Sequence, residues 1–537
     1  MFDPTGRHEG LETARAAEGW SISRFSPPSR LHGANGIRTG ADGRIYVAQV
    51  PGSKISAIDP DSGRIETICA INGPVTAPDD LVFDDAGNMF VTEITLGRVG
   101  MVAKDGSYRV VSGDVPVANP ITMHQGRLIV GECFYGGRIM EIDVSTGAQR
   151  IILADAPMPN AFSVGADGFL YAPMMAVNEI WRIDLATGAH TVVAGELGVP
   201  DSVKFDSKGR IVSTQSASGE VLRIDVQSGA REVLAAIAPG LDNCTFVGER
   251  LFVSSISGQV NEILPGGALR SLVHDGLQWP MGLALAEDGA LFVADGAYSY
   301  LYQANGQSGK MERQSLGFFF TPGHPGFARG VAADGLGRWL VSTANGQVMR
   351  WTPANMTSEV VSEGHGLLFG VARTDSGAAV FADAATGRVL CAAGGETQVL
   401  AEGLDRPMGI AIAPDGAVLA GEAAAGRLVR ITAGGKDTLV DGLAEPQGIA
   451  IAGGRVLVLD VGSRELLSFA IDGSDRQVLA SGLPVKAPPG IAPKLLGGVG
   501  TMSGPMQPFA GIAIAADGTV YIAGDADGSV VALRPAD

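Results

Sequence analysis

The sequence predicts an all-β chain built as two tandem six-bladed β-propellers, with four antiparallel strands per blade. Three observations carry this. Glycine, 76 of 537 residues, recurs within a unit that repeats roughly every 40 residues, the range of propellers and solenoids. Runs of β-branched residues are separated by Asp-Gly and Ser-Gly turns, which are hairpin signals, and helical periodicity is nearly absent. Twelve units can be counted. One ring of that size would exceed the usual range of about four to eight blades, so two rings of six are the economical arrangement.

The first unit shows the pattern. A polar residue and a short apolar run lead to the turn Ala41-Asp42-Gly43 and a strand over 44–48. A third strand over 54–59, the turn Asp61-Ser62-Gly63 and a fourth strand complete it. Further units start near residues 71, 115, 156, 197, 238, 277, 324, 365, 404, 443 and 483. The last unit stops after its third strand, 529–534, while an unpaired strand candidate over 20–25 precedes the first. Pairing 20–25 with the sixth blade and 269–273 with the twelfth would close both rings and leave no open edge. The expected boundaries are therefore an N-terminal extension over 1–19, a first propeller over 20–267 and a second over 268–537. A twelve-blade ring and a five-plus-seven split are the alternatives. Two stretches break the period: 318–325, and a loop over 484–508 rich in Pro, Gly and Met. Long loops in compact domains act as lids or partner contacts, or are tolerated insertions.

In a propeller the innermost strand of each blade starts at one rim of the central channel. Alignment on the first turn gives that position as Asn35, Asp79, Asn119, Asn160, Asp201 and Asp242 in the first six units. In the last six it gives Met281, Arg329, Phe369, Met408, Gln447 and Ala510, each followed by glycine. Asn and Asp are common turn residues that cap strand entries through the backbone, but that explanation predicts equal use in both halves. Six converging oxygen-bearing side chains without thiols suit Ca²⁺, Mg²⁺ or Mn²⁺, and zinc also binds such a set; calcium is favoured.

The second strand of each blade ends at the same rim, in Gln49, Glu93, Glu132 and Gln215 among the early units. Glu93 and Glu132 are candidates for substrate contact or acid–base work. Acids also stand near this position in later units, at Asp295, Asp383, Glu422, Asp460 and Asp525, which favours a loop-bridging role instead. No Gly-x-Ser-x-Gly elbow, phosphate loop or dinucleotide fingerprint is present.

Pro200-Asp201-Ser202-Val203 running through Gly209 to Leu222-Arg223-Ile224-Asp225, and Pro159-Asn160-Ala161 running through Ala166-Asp167-Gly168, resemble the senescence marker protein/gluconolactonase/luciferin-regenerating family. The resemblance covers about residues 20–276, and the second half is similar to NHL-type repeats, as in Pro407-Met408-Gly409-Ile410. It implies a channel cation held by Asn160 and Asp201, with Asn119 contacting substrate. The family's first-blade glutamate has no counterpart, because Asn35 stands there, so Asp79 or Asp242 would have to compensate.

The activity this implies is divalent-metal-dependent hydrolysis of a lactone or related ester in the first channel, with Asp201 as ligand and base. A metal-assisted lyase or isomerase and a non-catalytic binding propeller are the other readings. The expected partner is a small molecule. A net charge of −18 with no basic run argues against nucleic acid and anionic membranes. The second ring is expected to stabilise, to cover the first mouth or to form a homodimer. Cys69, Cys133, Cys244 and Cys391 are scattered, as in a reduced chain with buried thiols. Residues 1–9 lack the segments of a secretory signal and no apolar run approaches a membrane span, so a cytoplasmic location is expected.

Overall fold

The computed structural model describes residues 7–8, 11–305, 311–335 and 337–536. Among them the chain forms twelve antiparallel sheets and two single-turn 3₁₀ helices, Met175–Val177 and Pro353–Asn355. The first sheet shows the rule: Ile37–Thr39, Ile45–Gln49, Lys54–Ile58 and Ile65–Cys69 pair in chain order. Burial falls from inside outwards. In the second sheet Met89–Glu93 is wholly buried, whereas Tyr108–Ser112 exposes Arg109 and Val110. An inner strand is covered on both faces by neighbouring sheets, so it reads as continuously apolar.

The core lies between adjacent sheets. Val82 and Phe90 of the second sheet pack with Ala118, Ile121, Leu128 and Val130 of the third. Each such buried aliphatic or aromatic side chain contributes about 1.5–3 kcal/mol. Two compact units result, one of residues 30–275 with 491–501, the other of residues 1–29, 276–490 and 502–537. We call them ring one and ring two; six of the sheets fall in each. In ring one the sixth sheet packs back on the first, with Leu31, Ile37 and Val47 clustered against Phe252 and Val260. Thr39 Oγ1 also donates to the Phe246 carbonyl at 2.7 Å. In ring two the Gly511 amide donates to the Met281 carbonyl at 2.9 Å, joining its last and first sheets.

The strand pairing reverses the expected closure. Trp20–Arg24 pairs with Ser529–Pro535 in the last sheet of ring two, and Leu269–Val273 completes the sixth sheet beside Val260–Ile263. The reason is local. Pro265-Gly266-Gly267 makes a short connection with both glycines at positive φ, and a short loop costs less entropy to close than a distant one. The boundaries near 20 and 268 move accordingly, to 30 and 275. Within the N-terminal extension, Arg15–Ala16 adds a fifth strand to the sheet ending in Gln477–Ser481.

Ring two explains the glycine that follows each of its rim residues. A Cβ on Gly282, Gly330, Gly370, Gly409, Gly448 or Gly511 would lie under 3.0 Å from the carbonyl oxygen of the next sheet's rim residue. The six glycines let the inner strands close tightly around the axis, where they line a cavity of about 90 Å³. No helix among the described residues is long and apolar enough to cross a membrane.

Candidate active site

The rim position of ring one is built by an unusual backbone. Two residues before each rim residue the chain turns through positive φ, at Gly33, Ala77, Val117, Met158, Val199 and Gly240. Four of these are not glycine, and a β-branched valine there is strained by about 1–3 kcal/mol. In ring two only Arg406 among the six equivalent residues does this. Three of the six inner strands then carry a bulge at the rim, between Pro78 and Leu81, Ala118 and Ile121, and Leu241 and Cys244. Bulges re-aim side chains. The strain thus maps onto the half of the chain that carries the Asn/Asp set.

Five of the six rim side chains, Asn35, Asp79, Asn119, Asn160 and Asp201, are buried, and Asp242 is partly exposed. Their partners sort them. Asn35 donates its amide N–H to Asp242 Oδ2 at 3.2 Å, while its Oδ1 accepts from the Val50 amide at 3.2 Å. It therefore holds Asp242 through its amide nitrogen, while its Oδ1, with two lone pairs, keeps one acceptor site. Asn160 Oδ1 accepts from the Ala161 amide at 2.8 Å and its Nδ2 lies 3.1 Å from Met175 Sδ. A carbonyl oxygen has two lone pairs, so one acceptor site remains there. The Asn119 side chain hydrogen-bonds the buried Cys133 thiol. Asp201 Oδ1 is buried without any partner among the described residues.

Electrostatics singles out the three acids. Burial, then Asp242 and Asp80, hold the Asp79 carboxyl well above the usual range. Burial, then Asp242 and Asp79, do the same to Asp201. Asp242 is pushed up to about 8 by burial and Asp80, with Asn35 and Lys204 opposing. Three carboxyls that repel one another out of water need protons or a cation. Hard oxygen donors and an orphaned carboxylate oxygen fit a divalent ion by chemistry. Among the described residues, however, no three His, Cys, Asp or Glu side chains already stand close enough together to hold a metal. The acids sense one another at longer range than ligands of one ion do.

A second polar layer lies deeper in ring one, and the sequence reading passed over it. Arg38 donates to the carbonyls of Leu81 and Ile121, both at 3.0 Å, and stands 3.7 Å from Asp80. Asp80 also accepts from Asn243 Nδ2 at 3.4 Å. The buried Lys204 Nζ has no hydrogen-bond partner among the described residues, and burial beside Arg38 pushes it down to about 8. The signal was available: Arg38 and Lys204 each stand three residues beyond a rim residue, on strands otherwise apolar.

Glu93 and Glu132, the candidates for substrate contact, are both engaged in internal pairs. Glu93 accepts from the Thr76 amide at 2.5 Å and pairs with Arg98 at 2.6 Å and with Tyr108. Glu132 accepts from the Arg138 amide at 2.9 Å and pairs with its guanidinium. Ring two repeats the device, with Asp295 accepting from the Trp279 amide and Asp460 from the Glu445 amide. Glu93, Asp295 and Asp460 tie the loop before the inner strand to the end of the second strand, whereas Glu132 ties that end to the third strand through Arg138.

Residues 21–257 match the family model for the SMP-30/Gluconolactonase/LRE-like region. No curated protein sequence matches the chain. Among solved structures, streptogramin B lyase aligns at 17% identity and TM-score 0.38, over 53% of this chain and 96% of its own. Virginiamycin B lyase from Staphylococcus aureus aligns at 17% and 0.38, over 51% and 96%. Regucalcin from Agrobacterium tumefaciens, described as a calcium-binding protein, aligns at 21% and 0.35, over 43% and 85%.

Proposed function

We infer that ring one, whose residues 21–257 are an SMP-30/Gluconolactonase/LRE-like region, is a divalent-metal-dependent hydrolase of a lactone or related ester. One observation carries the reading: Asp201 holds a buried carboxylate oxygen without a partner, beside two further acids that raise its pKa. Asp201, Asp79, Asp242 and the spare acceptor of Asn160 are the residues that would hold the cation. Bound there, a divalent ion would polarise the ester carbonyl and stabilise the developing oxyanion. Calcium suits this all-oxygen set best, with manganese, magnesium and zinc as competitors.

The chain's own residues supply the rest. Asp201 Oδ1 takes the proton of the attacking water, since no side chain competes for that oxygen. Asn35 fixes Asp242 through its amide. Asn119 orients the substrate by hydrogen bonding. Chelator-treated protein should lose turnover on a panel of lactones and regain it with one divalent ion, and Asp201→Asn should abolish it. Full turnover by that variant would sink the assignment. A second reading rests on the same raised pKa values: a carboxyl kept protonated can hand a proton to carbon, as a lyase or isomerase requires. Product formed without oxygen from labelled water would select it.

A further inference from the structure

Exposed large apolar side chains among the described residues mostly stand at the outer edge of a sheet. Val110, Ile151 and Val399 are on fourth strands, and Met356 and Ile471 are in turns that lead to one. Four side chains break this pattern: Leu96, Tyr135, Val177 and Leu495, at 47, 76, 38 and 64% exposed. All four belong to ring one. Leu96, Tyr135 and Val177 occupy the turn from second to third strand in three successive sheets, the second, third and fourth. Among the described residues, that turn carries no exposed large apolar side chain in any other sheet of either ring.

These turns stand at the rim that bears the Asn/Asp set. The first residue of each donates its amide to the carbonyl of the positive-φ residue two places before a rim residue. Ile94 donates to Ala77 at 3.1 Å, Cys133 to Val117 at 3.0 Å and Met175 to Met158 at 3.0 Å. The exposed tips are thereby fixed beside Asp79, Asn119 and Asn160 respectively. The surface they make is continuous. Met158, half-buried, donates its own amide to the Phe134 carbonyl at 3.2 Å and so joins the Tyr135 and Val177 turns. The 491–501 segment brings Leu495 to Leu96, with Gly497 facing the Thr95 carbonyl and Gly500 the Val117 side chain. Across the same mouth the corresponding turns hold Pro51-Gly52-Ser53, Ala217-Ser218 and Ser257-Gly258. One side of the mouth is therefore apolar, and the other is small and mostly polar.

On the hydrolase reading of ring one, we propose that this apolar side receives an alkyl chain of the substrate, so that the site selects lactones with a long alkyl substituent over unsubstituted or polyhydroxylated ones. With the ester group held at the acids, a chain directed over Asn119 and Asn160 leaves the mouth across Met158 and Tyr135. Each methylene covered there strengthens binding by up to about fourfold. A sugar lactone would instead press its hydroxyls against Leu96, Val177 and Leu495, whose side chains offer no hydrogen bond in return.

Full-length protein with added divalent ion, assayed on γ-butyrolactone, γ-decalactone and glucono-δ-lactone, tests this. Turnover of γ-decalactone should be favoured over γ-butyrolactone by about tenfold or more in kcat/KM, chiefly through KM. The double variant Leu96→Ser, Tyr135→Ser, at two exposed positions, should fold normally and cut that ratio by about fivefold or more. Calorimetry on chelator-treated protein repeats the comparison as binding alone: γ-decalactone should bind about tenfold more tightly than γ-butyrolactone, and the double variant should lose most of that margin. Chain-dependent binding without turnover would support the apolar subsite while sinking the hydrolase reading. Turnover with no preference for the longer chain, or with preference for glucono-δ-lactone, would overturn the subsite and leave the hydrolase reading standing. A double variant that keeps the parent's ratio would also overturn it. So would a concentration-dependent dimer that the double variant abolishes, since the face would then belong to a second copy.

Discussion

Asp201 is where chemistry and stability pull apart. Its carboxylate is buried beside Asp79 and Asp242, so the ionised form costs the fold free energy unless a cation is bound. A carboxyl whose folded pKa lies above its unfolded value, near 4, costs nothing below that pH. As pH rises the unfolded chain sheds its proton first, so stability falls until the folded group ionises, at about 8 for Asp242. Chelated protein should therefore melt at progressively lower temperature from about pH 4 to about pH 8, and Asp201→Asn should flatten that slope. At the upper end the variant should be more stable by about 1–2 kcal/mol, while losing turnover. Melting curves with and without added cation would show this; a variant less stable than the parent at pH 8 would refute it. The rim set was readable because six repeats aligned it and a second ring lacked it. What each amide does was not, because the roles of Asn35 and Asn160 depend on the Val50 and Ala161 N–H groups that their oxygens meet.

Strands were the most legible elements, since period-two patterning and glycine turns mark each hairpin without reference to the rest of the chain. Which strand completes which sheet was harder. The 20–24 and 269–273 segments are alike in length and amphipathicity, and only the short glycine turn before 269 separates them. The glycine after each rim residue in ring two was visible as a pattern but not as a cause. Its cause is contact between neighbouring inner strands, and that makes a sharp prediction. Gly409→Ala would press a methyl into the Gln447 carbonyl, which is backbone and cannot swing aside. The loss should be ~3 kcal/mol or more, at the upper end of overpacking effects. Gly434→Ala, in an open turn of the same ring at ordinary φ, should change stability by under about 1 kcal/mol. Equal melting temperatures for the two variants would mean that the close approach around the axis is not what requires glycine.

At the level of the whole chain, ring one is an insertion in ring two, entering after residue 29 and leaving at 275, because the strand Trp20–Arg24 belongs with the chain's last strand. No local signal marks such nesting, since it depends on which distant edges meet. Ring two also returns a segment. Residues 491–501, from the long loop read as a lid or a tolerated insertion, belong to ring one, where Lys494 donates to the Val75 carbonyl and Leu496 and Val499 are buried. Gly497 and Gly500 of this segment run beside Thr95 and Val117, the latter two residues before Asn119. A fragment of residues 30–275 retains six complete four-stranded sheets and should fold. Without the returning segment it forfeits burial of two apolar side chains, each about 1.5–3 kcal/mol before ordering costs. Its melting temperature should fall below that of ring one in the full chain by several degrees, at about 2–4 °C per kcal/mol. A peptide of residues 488–504 should restore part of the loss, weakly, because a free peptide must be ordered on binding whereas the tethered segment is held nearby. A fragment that melts with the parent and ignores the peptide would show that the segment rests on ring one without supporting it.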